Sequence, residues 1–273
     1  MDLPWNPSIV ALDAVQAALV ALPAAGLPRP LARLGGRWWA LIPPASIVAV
    51  VFGITALPGL ADGLTWLALI ACPPLAAVAL GWAMHGARPV YAVAVLPLGA
   101  AAWIWSGELG GHLCALALTA LSCVTLARLL RGVAPAMLLK LGILAMATAD
   151  AILILSEQLQ QPNSTLVAAR PAAELPRLQV AIIDPASMGY GDLFLAAVLG
   201  AVVAAEVSRR AQAGVAVLVL VLAVAFDALF LVLDTLPATV PVALALLVYE
   251  AVRRQRRRGR VRRRTAPMTA GAR

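Results

Sequence analysis

Asp150 and Asp192 are carboxylates set in strongly apolar stretches, and the second closes the string Met188-Gly189-Tyr190-Gly191-Asp192. Holding a carboxylate in a lipid-spanning helix costs at least about 2.5–3.5 kcal/mol at the bilayer centre, so chains that keep one use it for catalysis or for moving protons and ions. Two carboxyls close together in a low dielectric do not both ionise; they share a proton and titrate as a unit. The charged member draws a proton from water while the protonated member donates to the carbonyl under attack. That chemistry is amide hydrolysis with no metal, no other cofactor and no covalent intermediate.

The elements that must position these acids are membrane helices. The chain of 273 residues is 62% hydrophobic and 12% charged, far below the roughly 25% charged content of soluble domains. Apolar runs long enough to cross a bilayer recur, and the alternating ten-residue segments of a membrane β-barrel do not appear. The expected fold class is all-α, a polytopic membrane protein with nine transmembrane helices at about 8–25, 39–58, 64–84, 89–106, 112–130, 135–155, 187–208, 212–233 and 236–252. This divides the chain into a five-helix bundle (1–134), a four-helix region (135–252) with an outer loop at 157–186, and a basic tail (253–273). Arg29, Arg33, Arg37, Arg88, Arg128, Arg131, Arg209 and Arg210 fall in alternate connections, and the tail is rich in Arg. The positive-inside rule then sets the N-terminus outside and the C-terminus in the cytoplasm, as expected of a multi-pass plasma-membrane protein.

On these boundaries Asp150 lies about five residues from the outer end of the sixth span and Asp192 about five from the outer end of the seventh, each ~8 Å below the surface. Adjacent antiparallel helices thus bring two acids to one depth. Gly189 and Gly191 remove side-chain bulk beside Asp192 and let another backbone approach. The ninth span opens with Leu236-Pro237-Ala238-Thr239-Val240-Pro241. Its two prolines prevent a regular first turn and leave carbonyls without helical partners. Such backbone is tolerated at membrane depth where it lines a cavity or meets a partner, and an extended substrate segment, added like a strand, is a fitting partner.

An Asp in the sixth span, Gly-x-Gly-Asp in the seventh and Pro-Ala at the ninth resemble the presenilin and signal peptide peptidase group, the GxGD intramembrane aspartyl proteases with nine helices. The resemblance covers about residues 135–252. It implies that Asp150 and Asp192 are the catalytic pair and that Gly189, Tyr190, Gly191, Pro237, Ala238 and Thr239 contact substrate. It also implies single-span substrates, of type II in the orientation deduced here or remnants of signal peptides. The family has Tyr before the first aspartate and Leu at the third Pro-Ala-Leu position, where this chain has Ala149 and Thr239.

Other features carry other readings. Asp227 sits at a similar depth in the eighth span, and with Asp150 and Asp192 it fits a proton-coupled transporter or channel. A catalytically silent binder of membrane segments is a third class, and a prepilin-type peptidase, whose acids face the cytoplasm, a fourth. Asp13 is expected near the outer headgroups. Lys140, near the inner end of the sixth span, is expected to snorkel to headgroups. Cys72, Cys114 and Cys123 lack metal-ligand spacing and read as packing residues, and His85 and His112 fall at span ends on opposite sides of the membrane. The Arg-rich tail has no aromatic residues for base stacking and is expected to bind anionic lipid, not nucleic acid.

Overall fold

The computed structural model describes residues 6–25, 35–57, 59–156, 160–169, 171, 175–231 and 235–265. Arg29 and Arg33, parts of the outer loop predicted at 157–186 and residues 266–273 of the basic tail lie outside them. The protein is all-α apart from one small hairpin. Its helices are α1 (Pro7–Ala21), α2 (Ile42–Ala56), α3 (Leu60–Val78), α4 (Val95–Ile104), α5 (Leu109–Val133), α6 (Ala136–Leu155), α7 (Gln160–Ala168), α8 (Tyr190–Glu206), α9 (Arg209–Phe226) and α10 (Thr239–Thr265). A π-helical turn, Ala79–Ala83, extends α3, and 3-10 turns precede α4 and follow α9.

Four helical stretches are long and apolar enough to cross a membrane: Leu60–Ala83, Leu109–Val133, Ala136–Leu155 and Arg209–Leu231. Large apolar side chains such as Leu67, Ile70, Leu96, Ile104, Val217, Val221 and Leu247 point outward. An outer surface this apolar suits hydrocarbon rather than water.

Helix α8 lies at the centre. It is buried on every side from Leu195 to Val203, as a helix apolar all round must be. It packs against α1, α5, α6 and α10, and α1 also packs against α9. One core joins Leu12, Leu116, Leu139, Leu193, Val219 and Leu246, so packing continues across residue 134. The α1–α8 contact depends on Gly200. A Cβ there would lie 2.5 Å from the Val20 carbonyl oxygen and 2.8 Å from that of Leu19. Backbone cannot yield as a side-chain tip can, so Gly200→Ala is expected to destabilise by about 1–3 kcal/mol. Gly214→Ala, with nothing within 4 Å of the added atom, is expected to cost nothing by overpacking; thermal unfolding in detergent compares the two.

Three details correct the sequence reading. Residues 187–189, predicted as the start of the seventh span, belong to a strand: β1 (Val180–Ile183) and β2 (Ala186–Gly189) pair antiparallel around Asp184–Pro185. The β-branched Val180, Ile182 and Ile183 favour extended backbone, and the Ser8 hydroxyl donates to the Asp184 carbonyl at 2.9 Å, tying the hairpin to α1. Second, α10 continues from the predicted ninth span into the basic segment as far as Thr265, because Arg is a good helix former and the segment holds no Pro, its single Gly259 being a smaller penalty. Third, Lys140 does not reach for headgroups. It is buried and its ammonium donates to both carboxylate oxygens of Glu206, at 2.8 and 2.9 Å, and to Glu250. Arg253 also pairs with Glu206, and the Tyr249 hydroxyl donates to the same carboxylate at 2.9 Å.

Candidate active site

Asp150 lies five residues before the last residue of α6, and Asp192 is the third residue of α8. Asp192 is therefore nearer a helix end than the sequence suggested, because β2 occupies what was read as the first turn of that helix. Asp150 is 5% exposed and Asp192 half-buried. The two come near enough for the charge of Asp150 to act on the Asp192 carboxyl.

The glycines explain how α6 and α8 approach. A Cβ on Gly191 would lie 3.2 Å from Cε of Met146, one helical turn before Asp150 on the same face of α6. The Gly189 amide donates to Asp192 Oδ2 at 3.2 Å, and a Cβ on Gly189 would meet that same oxygen at 3.1 Å. Gly189 thus lets the carboxyl fold back over the start of its own helix, where backbone N–H groups lack helical partners. Asp192 has a purely structural use here, closing the turn, and still keeps an exposed face.

Thr239 completes the group. Its hydroxyl donates to Asp150 Oδ2 at 2.6 Å and the residue is fully buried. The helix begins at Thr239, after Pro237 and Ala238, so the broken start of the ninth segment delivers a side-chain hydroxyl to the acid in α6. The Ala238 carbonyl, at the N-terminal edge of this helix, accepts from the Gln16 amide at 2.9 Å. Gln16 receives no role in the sequence reading, although a lone amide in an apolar span carries the same signal that marks the aspartates.

Tyr190 turns the other way. Its hydroxyl sits 2.9 Å from that of Ser122, linking α8 to α5. Asp227 is 6% exposed and lies within hydrogen-bonding reach of Asp13, itself 5% exposed. Asp13 is accordingly an interior residue, not a headgroup neighbour, and Asp227 partners it instead of the first pair. His85 is 3.1 Å from the Gln212 side-chain oxygen. A cavity of about 640 Å³ opens beside the hairpin, lined by Ser106, His112, Pro176, Arg177, Val180 and Ile182; neither Asp150 nor Asp192 lines it. Among the described residues, no group of three or more His, Cys, Asp and Glu side chains is arranged to hold a metal ion.

No family model, curated protein or solved structure matches this chain.

Proposed function

We propose that this protein is an intramembrane aspartyl protease of the presenilin and signal peptide peptidase type, with nine membrane spans, cleaving single-span substrates of type II. The observation that carries the reading is the approach of Asp150, Asp192 and Thr239 from three separate segments within an apolar bundle, with Thr239 bonded to Asp150 and Asp192 within reach of its charge. The ionised acid takes a proton from water, the other gives one to the scissile carbonyl, and the amine leaves with a proton returned by the pair. Asp192, the less buried of the two by surface area, offers the face on which water and peptide meet. The hairpin supports the same reading. It is a two-stranded sheet running directly into Tyr190 and Asp192, and a substrate unwound from its helix needs a strand edge to satisfy its freed amides.

Thr239 is a positioning residue in this scheme. A hydrogen bond to a charged group contributes about 1.5–3 kcal/mol, so Thr239→Val is expected to lower kcat by roughly 10- to 100-fold, with the substrate concentration dependence little changed. Thr239→Ser keeps the hydroxyl and is expected to retain most activity.

The test is reconstitution of the purified full-length chain in liposomes with a type II reporter. The protease reading predicts product ends inside the reporter's membrane segment. Proton or cation flux down an imposed gradient, with the reporter intact, would instead establish the transporter built on the same buried acids.

A further inference from the structure

Asp13 and Asp227 form a second carboxyl pair that peptide hydrolysis does not use. Asp13 lies on α1 and Asp227 opens the 3-10 turn that follows α9. The two carboxyls are within hydrogen-bonding reach of each other, and Oδ2 of each is buried with no hydrogen-bond partner. Gln16 stands one turn from Asp13 on the same face of α1. It is fully buried, and its amide nitrogen is committed to the Ala238 carbonyl. That bond fixes which end of the amide is which, so Oε1 is a buried acceptor that accepts from nothing. These are three buried oxygens without a hydrogen-bond partner, on neighbouring positions of α1 and on the turn that follows α9, the helix packed against it, and no Lys, Arg or His among the described residues makes an ion pair with either carboxylate.

An oxygen-only set of this kind suits a hard cation. Three oxygens fall short of a full shell for calcium or magnesium and for sodium alike, so charge and not ligand count selects the ion. Two carboxyls this close in an apolar bundle carry one negative charge between them, which a monovalent ion balances. We propose that Asp13, Gln16 and Asp227 form a buried binding site for a monovalent hard cation, sodium. The site is joined to the candidate catalytic centre through Gln16. Its amide holds the Ala238 carbonyl, and the next residue, Thr239, donates to Asp150. A cation that fixes Gln16 fixes the 237–239 segment, so sodium is expected to stimulate cleavage. That consequence rests on the protease reading; the binding does not.

The test uses the full-length protein in detergent micelles, with sodium chloride exchanged for N-methyl-D-glucamine chloride at equal ionic strength and pH. Sodium is expected to raise the unfolding midpoint with the logarithm of its concentration, by about 4 °C or more well above its dissociation constant, and radioactive sodium is expected to be retained saturably. Both effects should disappear in the double variant Asp13→Asn, Asp227→Asn and persist in Asp62→Asn, which changes an exposed acid elsewhere. If the double variant does not fold, Gln16→Met decides, with an expected loss of sodium affinity of at least about tenfold, the worth of one lost oxygen ligand. A wild-type midpoint that ignores sodium but follows pH would overturn the proposal in favour of a shared proton. Sodium binding without cleavage would sink the protease reading and leave this site standing; cleavage without sodium binding would do the reverse.

Discussion

Asp150→Asn and Asp192→Asn are each expected to slow reporter cleavage by about 10²–10⁴-fold, the usual contribution of a positioned acid or base, and the double variant is expected to be no slower than the worse single one. The reason is that the two carboxyls act as one device. Each needs the other in the opposite protonation state, so removing either leaves nothing for its partner to complete, and effects of residues that act as a unit do not add. Asparagine keeps the size and a hydrogen-bonding oxygen. At position 192 it can still accept from the Gly189 amide, and at 150 from the Thr239 hydroxyl. The variants should therefore fold and resist unfolding like wild type, which separates a catalytic loss from a structural one. Quantitative product analysis and a thermal melt on the same preparations make the comparison. Additive losses from the two single changes would mean that the acids work independently, as they would along a proton pathway.

Lys140→Ala has the opposite signature, a large loss of stability with little change in turnover per folded molecule. Lys140 joins three helices at the end of the bundle remote from the aspartates: its own α6, the end of α8 at Glu206 and α10 at Glu250. Asp150 is ten residues further along α6, ~15 Å away at 1.5 Å per residue. Removing the ammonium leaves two acids sharing Arg253 alone. Breaking a fully buried pair costs about 3–5 kcal/mol; here the Lys140 side chain is 9% exposed and that of Glu250 25%, and solvent takes up part of the loss. The expected cost is about 2–3 kcal/mol. Replacing Lys140 by Met together with Glu250 by Gln should cost less, because no charge is stranded. Unfolding in detergent gives both values, and equal stability of Lys140→Ala and wild type would show that the network contributes nothing.

What the sequence disclosed depended on whether a residue's environment could be inferred locally. Asp150 and Asp192 were legible because a charge in an apolar run needs explanation wherever the helix packs. Pro237 was legible as non-helical backbone before the ninth segment, since Pro acts on its own backbone, whereas Pro241 sits within the first turn of the helix, where a missing N–H is tolerated. The partners of these groups were not. Thr239 looked like a missing apolar contact, and its bond to Asp150 spans 89 positions, a pairing that no local pattern encodes. Asp13 and Asp227 are 214 positions apart in the chain; Asp13 alone resembled an interfacial acid, and Asp227 a third acid at the depth of Asp150 and Asp192. The hairpin was absorbed into a loop and a span because four-residue apolar strands have too little length to declare a period. Lys140 could reach either headgroups or an acid, and the choice was settled by where Glu206 and Glu250 fall in the folded bundle.

The central claim is that water, activated between Asp150 and Asp192, adds to an amide within the membrane. The most direct measurement is cleavage of the type II reporter in liposomes made in water enriched in the heavy oxygen isotope, with product masses read for wild type, Asp150→Ala and Asp192→Ala. The expected result is one heavy oxygen in the new carboxyl terminus of the N-terminal fragment, at a residue inside the membrane segment, for wild type only. Equal cleavage by all three proteins, or none by any of them, would contradict it.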